Sequence, residues 1–142
     1  MKQHCANAEY VVNFLKKHKE VTKVIYSTEH DKPIAERAQK YLKGGNGPMV
    51  GIELKGGIEA GKRFIESLKM FYHVANIGDA RSLAIHPATT THSQLNEDEL
   101  AASGVTQSYV RLCIGIEHID DIIEDLDQAL NKSSKSKLKA VS

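Results

Sequence analysis

Apolar positions along the chain recur with a spacing that switches between about 3.6 and 2 residues, and this switching predicts most of the elements. Ala8, Val11, Val12 and Leu15 follow i, i+3, i+4, i+7 with lysines elsewhere, so residues 3–18 read as a helix that begins almost at the first residue. VTKVIYS, 21–27, is rich in β-branched residues and reads as a strand. Asp31 or Lys32 followed by Pro33 opens a second helix. Its stripe is Ile34, Ala38, Tyr41 and Leu42, and it stops at Gly44-Gly45. Val50, Ile52 and Leu54 alternate and predict a strand with one buried face. Lys55-Gly56-Gly57 turns the chain into a third helix marked by Ile58, Ile65 and Leu68, followed by the short apolar piece FYHVA.

The next twenty residues, NIGDARSLAIHPATTTHSQL (76–95), show neither period. Asn96 is a good N-cap, and Glu99 three residues on completes a capping-box pattern for a short helix. SGVT, 103–106, is a turn. YVRLCIGIE, 109–117, is the strongest strand, with Val110, Leu112, Ile114 and Ile116 on one face. Ile119, Ile122, Ile123, Leu126 and Leu130 form a complete amphipathic stripe for the last helix. NKSSKSKLKAVS, 131–142, reads as a disordered Ser/Lys tail. The pattern lacks regular βαβ alternation, and predicts an α+β domain over 1–130: two layers, with helices packed on one face of a small, largely antiparallel sheet.

Length and charge add exclusions. A chain of 142 residues with 26% charged residues and a formal net charge of +1 makes one compact domain, with no bulk electrostatic case for nucleic acid. No apolar run approaches the roughly 20 residues needed to cross a bilayer, and the start lacks a secretory pattern. Two cysteines, Cys5 and Cys113, make no disulfide framework, and a reduced, cytoplasmic compartment fits. Cys113 alternates within the strand and reads as packing.

Two features carry candidate chemistry. Arg111 lies mid-strand on the face opposite Val110 and Leu112, together with Tyr109, Cys113 and Gly115. It is either an exposed arginine on a wet face or a guanidinium awaiting an anion, since desolvating it unpaired is costly. Its fork matches a carboxylate in bidentate geometry. The 76–95 stretch holds three residues of metal-ligating type, Asp79, His86 and His92, at a spacing that matches no zinc signature. Its hydroxyls and amides either bond the backbone of an irregular crossing segment or line a pocket for a small polar ligand. Gly44-Gly45-Asn46-Gly47 lies between a helix and a strand and reads as a helix stop, not a phosphate cradle. Asp120, Asp121, Glu124, Asp125 and Asp127 fall away from the isoleucines and read as a solvated face.

HPATTTHSQL (86–95), NIGDARSL (76–83) and the phrase VRLCIGIEHIDDIIEDLDQAL (110–130) together resemble the C-terminal domain of the trans-sulfuration enzymes that depend on pyridoxal phosphate. HCANAEYVVNFL and KGGIEAGKRFIESLK extend the likeness over essentially 1–130. The resemblance implies the C-terminal domain of the aspartate-aminotransferase-like fold. Within the family, NIGDARSLAIHP and THSQL are most similar to O-acetylhomoserine sulfhydrylases, which implies synthesis of homocysteine and acetate from O-acetylhomoserine and sulfide. Cystathionine γ-synthase, cystathionine γ-lyase and methionine γ-lyase are the alternatives within the family. A stand-alone amino-acid-binding module and a purely structural or assembly role are alternatives outside it. By resemblance, Arg111 grips the substrate α-carboxylate, Asn76 contacts the same group, and Thr91 helps orient substrate; His86 and His92 are structural.

Family members are roughly three times this length, and no lysine here matches the family's Ser-x-Thr-Lys setting. The resemblance therefore implies an excised or separately made C-terminal domain whose cofactor domain is absent. It further implies no catalytic, cofactor-binding or metal-binding residue in this chain, and no turnover by the chain alone. The implied partners are the large cofactor domain, an amino-acid substrate and further copies in a homotetramer, with no nucleic acid or membrane.

Overall fold

A computed structural model describes residues 1–134, the side chains of Glu97 and Ala101 apart. The elements run α1 (Lys2–Leu15), β1 (Val21–Ile25), α2 (Lys32–Tyr41), β2 (Met49–Leu54), α3 (Gly57–Ser67), β3 (Tyr72–His73), β4 (Leu83–Ile85), α4 (Glu97–Ala102), β5 (Tyr109–Cys113) and α5 (Ile119–Ser133). A single 3₁₀ turn, Pro87–Thr89, follows β4.

The strands form one five-stranded sheet in the order β1-β2-β5-β4-β3. β1–β2, β2–β5 and β5–β4 are antiparallel, whereas β3 runs parallel to β4. The sheet is thus mixed, which corrects the largely antiparallel sheet expected. The cause lies in residues 74–82, which carry the chain back across the sheet end so that β4 enters in the same direction as β3.

Alternation along β2 and β5 sends Val50, Ile52, Leu54, Val110 and Leu112 to one face, where they are buried. Against them pack Ala8, Val11, Val12 and Leu15 of α1, Ala60 and Phe64 of α3, and Ile122, Leu126 and Leu130 of α5. Each of the large aliphatic side chains contributes about 1.5–3 kcal/mol by leaving water. α2 supplies no member of this core: of its expected stripe only Ala38 is buried, while Ile34, Tyr41 and Leu42 are exposed. Ile34 instead borders the opposite face of the sheet, beside Gly51 and Arg111.

Four further expectations change. β5 ends at Cys113, and Ile116 is half exposed rather than part of the buried face: the chain bends at residues 116–117, and Ile116 N–H donates to the Ala80 carbonyl at 2.9 Å. The irregular 76–95 stretch contains β4 and the 3₁₀ turn. α5 continues to Ser133, so residues 131–133, expected in the tail, are helical, and residues 135–142, where the rest of that tail was expected, lie outside the described residues.

The fourth change concerns Asp125, which is buried, not solvated. Its carboxylate accepts from the backbone N–H groups of Lys69 (2.9 Å), Met70 (2.8 Å) and Phe71 (3.4 Å), which link α3 to β3, and from Gln128 Nε2 (2.9 Å). The capping box does form: Glu99 N–H donates to Asn96 Oδ1 at 3.0 Å, and Asn96 N–H donates to Glu99 Oε2 at 2.9 Å.

Candidate functional site

Arg111 occupies the middle of β5, opposite Gly51 of β2 and Ile85 of β4, on the sheet face that the core helices do not cover. Gly51 has no side chain because Tyr109 needs the space: a β-carbon there would stand 2.6 Å from Tyr109 Cε2 and 2.8 Å from its hydroxyl. Burial raises the Tyr109 pKa, and the Arg111 charge beside it works in the opposite direction. Arg111 and Tyr109 border a cleft of about 340 Å³ whose walls include Ile25, His30, Ile34 and Met49.

Arg111 is half-buried as a residue, and its guanidinium has one bond to the rest of the protein among the described residues, a solvent-exposed one: Nη2 donates to the Asn76 carbonyl at 3.2 Å. None of the ion pairs among those residues involves Arg111. The guanidinium thus has one neutral acceptor among the described residues and donors to spare.

The structure brings Asn76 to Arg111 by its main chain. The Asn76 side chain turns locally, its Oδ1 accepting from Ile77 N–H at 2.9 Å. Thr91 is exposed, with its hydroxyl 2.8 Å from His92 Nδ1, and no bond among the described residues joins it to Arg111 or Asn76. Of the three expected substrate-binding residues, two therefore meet and the third stands apart.

The remaining polar residues of the stretch are occupied in holding it. Asp79 Oδ1 accepts from Arg81 N–H at 3.0 Å, and the Arg81 guanidinium lies 4.7 Å from the centre of the Tyr72 ring. His86 is wholly buried. Its Nε2 lies 2.8 Å from the Gln107 carbonyl, which can only accept, so Nε2 carries the proton and Nδ1 is free to accept from the Thr89 hydroxyl at 2.9 Å. Burial is the main cause of its lowered pKa. Among the described residues no group of three or more His, Cys, Asp or Glu is placed to hold a metal ion.

Residues that sequence reasoning missed complete the frame. Ser82 N–H and Oγ both donate to the Glu117 carboxylate, at 2.7 and 2.9 Å. Asn7 Nδ2 reaches from α1 to the carbonyls of Gly115 (3.1 Å) and Glu117 (3.0 Å). The Gly-Ile-Glu phrase after β5 was the signal for this frame, although spacing alone could not say that its glutamate points back to the crossing segment.

Residues 1–131 match the family described as Cys/Met metabolism PLP-dependent enzyme. The chain is 48% identical to the O-acetyl-L-homoserine sulfhydrylase of Leptospira meyeri over 131 residues, covering 92% of this chain and 30% of that protein. It is 43% identical to an L-methionine gamma-lyase of Fusobacterium nucleatum subsp. polymorphum over 132 residues, covering 93% of this chain and 33% of that protein. The crystal structure of a putative O-acetylhomoserine (thiol)-lyase of Campylobacter jejuni, which carries a pyridoxyl-lysine monophosphate, superposes with a TM-score of 0.82 at 41% identity. That match covers 91% of this chain and 31% of the other. The chain thus spans about a third of the length of the relatives it matches.

The described residues do not by themselves fit the cofactor. Imine formation needs a desolvated amine, and every described lysine is exposed except Lys62, which is half-buried and paired with Glu59 at 2.8 Å.

Proposed function

Because this chain belongs to the pyridoxal-phosphate-dependent enzymes of Cys/Met metabolism, we propose that it is the C-terminal, substrate-side domain of an O-acetylhomoserine sulfhydrylase. The full enzyme makes homocysteine from O-acetylhomoserine and sulfide, in the cytoplasm and as a homotetramer, with the cofactor and its lysine on a large domain. Pyridoxal phosphate supplies the electron sink for that chemistry when bound. This chain supplies the grip on the amino acid. Arg111 takes the α-carboxylate, and Asn76 fixes the guanidinium through its carbonyl. Thr91 lies on the same crossing segment and borders the substrate from farther off.

The observation that carries the reading is the half-buried Arg111 with no anionic partner among the described residues, on a strand face without core helices. Sulfhydrylase is preferred to methionine γ-lyase because several of the relatives bear sulfhydrylase names at 43–48% identity. The test is Arg111→Ala in the full-length enzyme, assayed with O-acetylhomoserine and sulfide and, in parallel, for methionine elimination. Loss of a charged bidentate contact, about 1.5–3 kcal/mol, lowers kcat/KM about 10- to 150-fold. An unchanged kcat/KM would remove Arg111 from the site, and a dominant methionine elimination would move the protein to the lyases. Micromolar binding of O-acetylhomoserine to this chain alone would favour a stand-alone module.

A further inference from the structure

Ser82 is wholly buried, and each of its polar atoms is engaged. Its N–H and Oγ donate to the two oxygens of Glu117, its Oγ accepts from Gly115 N–H at 2.9 Å, and its carbonyl accepts from Tyr72 N–H at 3.0 Å. One residue back, the Ala80 carbonyl accepts from Ile116 N–H at 2.9 Å. The approach is close enough that a β-carbon on Gly115 would sit 2.5 Å from both the Ala80 carbonyl oxygen and the Ser82 nitrogen. On the other side of this clasp, Asn7 holds the carbonyl of Glu117, and His4 Nε2 lies 3.1 Å from the Asp79 carbonyl.

Residues 76–78 have no comparable anchoring among the described residues. Asn76 and Ile77 are exposed, and Gly78 adopts a positive φ of 85°. They are held from both sides, by β3 before them and by the clasp that follows them in the chain. The Asn76 carbonyl is nevertheless the acceptor that Arg111 uses. A carboxylate four residues past the end of β5 is thus coupled, through Ser82 and a short arm of backbone, to the guanidinium inside β5.

We propose that Glu117 is a positioning residue for Arg111: by clamping Ser82 it sets the 76–82 arm, and the arm sets the direction of the guanidinium. This rests on the reading of Arg111 as the carboxylate anchor, and adds the residue that aims it. Glu117 touches no reacting atom. Its contribution is pre-organisation, so that the Arg111 donors need not be ordered at the moment of binding.

The test uses the 142-residue chain and nitrogen-15 NMR of the Arg111 side chain. In the native chain the guanidinium N–H signals show restricted rotation, and the Ser82 amide is protected. Glu117→Ala releases the arm: the Arg111 signals average, and Ser82 exchange quickens about 10- to 100-fold, as loss of a charge-assisted bond implies. Glu117→Gln keeps an acceptor for Ser82 N–H and restores the Arg111 signature. Amides of α5 and of Val50 to Leu54 report whether the fold persists. Should Glu117→Ala unfold, Ser82→Ala removes one of the two bonds to Glu117, together with the Gly115 N–H bond, and gives an intermediate loss. Averaged Arg111 signals in the native chain, or unchanged signals in a folded Glu117→Ala chain, overturn the proposal. Failure of the carboxylate reading shows differently: Glu117 then still controls Arg111, while Arg111→Ala leaves the kcat/KM of the full enzyme untouched.

Discussion

Gly61 of α3 lies flat against the imidazole of His86, so close that a β-carbon on Gly61 would stand 2.7 Å from both ring carbons Cδ2 and Cε1. In an exposed helix interior Gly→Ala stabilises by about 1 kcal/mol. Here the sign reverses, because the ring is pinned at both nitrogens by Gln107 and Thr89 and has nowhere to move. Gly61→Ala is expected to destabilise the chain by about 1–3 kcal/mol, the usual cost of overpacking. Urea unfolding measures it; a higher midpoint for the alanine chain would show that the ring swings aside freely.

The same imidazole makes stability depend on acid. His86 titrates below its ordinary 6.5, chiefly because burial disfavours the cation, with the charge of Lys62 and the proximity of His73 acting the same way and the Gln107 carbonyl opposing. The unfolded chain therefore binds the proton more readily than the folded one. The contribution is full above pH 6.5 and is lost as pH falls through 6.5 toward the lower folded-state value. The slope from this group is at most about 1.4 kcal/mol per pH unit. Urea midpoints over this range are expected to fall less steeply for His86→Gln than for the native chain. Equal slopes would assign the acid sensitivity to other groups.

Alkali acts through Tyr26. Its hydroxyl donates to the Gly47 carbonyl at 2.9 Å, and its pKa is pushed up to about 12 by burial, then by Glu9 and Cys5. An unfolded tyrosine ionises near 10, so this contribution is present below pH 10 and is lost as pH rises through 12. In an ultraviolet titration of the five tyrosines, Tyr26→Phe is expected to remove amplitude from the late part of the curve. Amplitude removed near pH 10 instead would place the hydroxyl in water.

Asp125 holds three consecutive backbone N–H groups between α3 and β3. Asp125→Ala leaves those donors without their acceptor and is expected to cost at least about 2 kcal/mol. Asp125→Asn, which keeps one carbonyl oxygen, should cost less. Thermal unfolding of the two variants ranks them; equal costs would mean that side-chain volume, not the carboxylate, matters.

Most helices and the strands β1, β2 and β5 were legible in this sequence, and the reason is periodicity, although the stripe expected for α2 is largely exposed. α5 and α1 each bury an unbroken stripe, and α4 carries its own capping box. β4 was hidden because its three residues are all buried, which leaves no alternation to read, and β3 because two exposed residues become a strand only by pairing with β4. Asp125 was misplaced because a helical wheel shows which side of α5 faces away from the isoleucines, but not that residues 69–71 pass over that side. Arg111 was legible from strand parity. The Asn76 carbonyl, 35 residues away, and the bond of Glu117 to Ser82, 35 residues back, exist only through tertiary folding.

The two ends of the sheet also bear on how copies of this chain behave toward each other. A long, flat outer strand is a template for association between molecules. β1, at one end, breaks its register between Val21 and Lys23 and turns Lys23 toward Glu53 at 3.8 Å. β3, at the other, is only two residues long. A lysine-bearing margin of broken register and a truncated one give a neighbouring copy little backbone to zip onto.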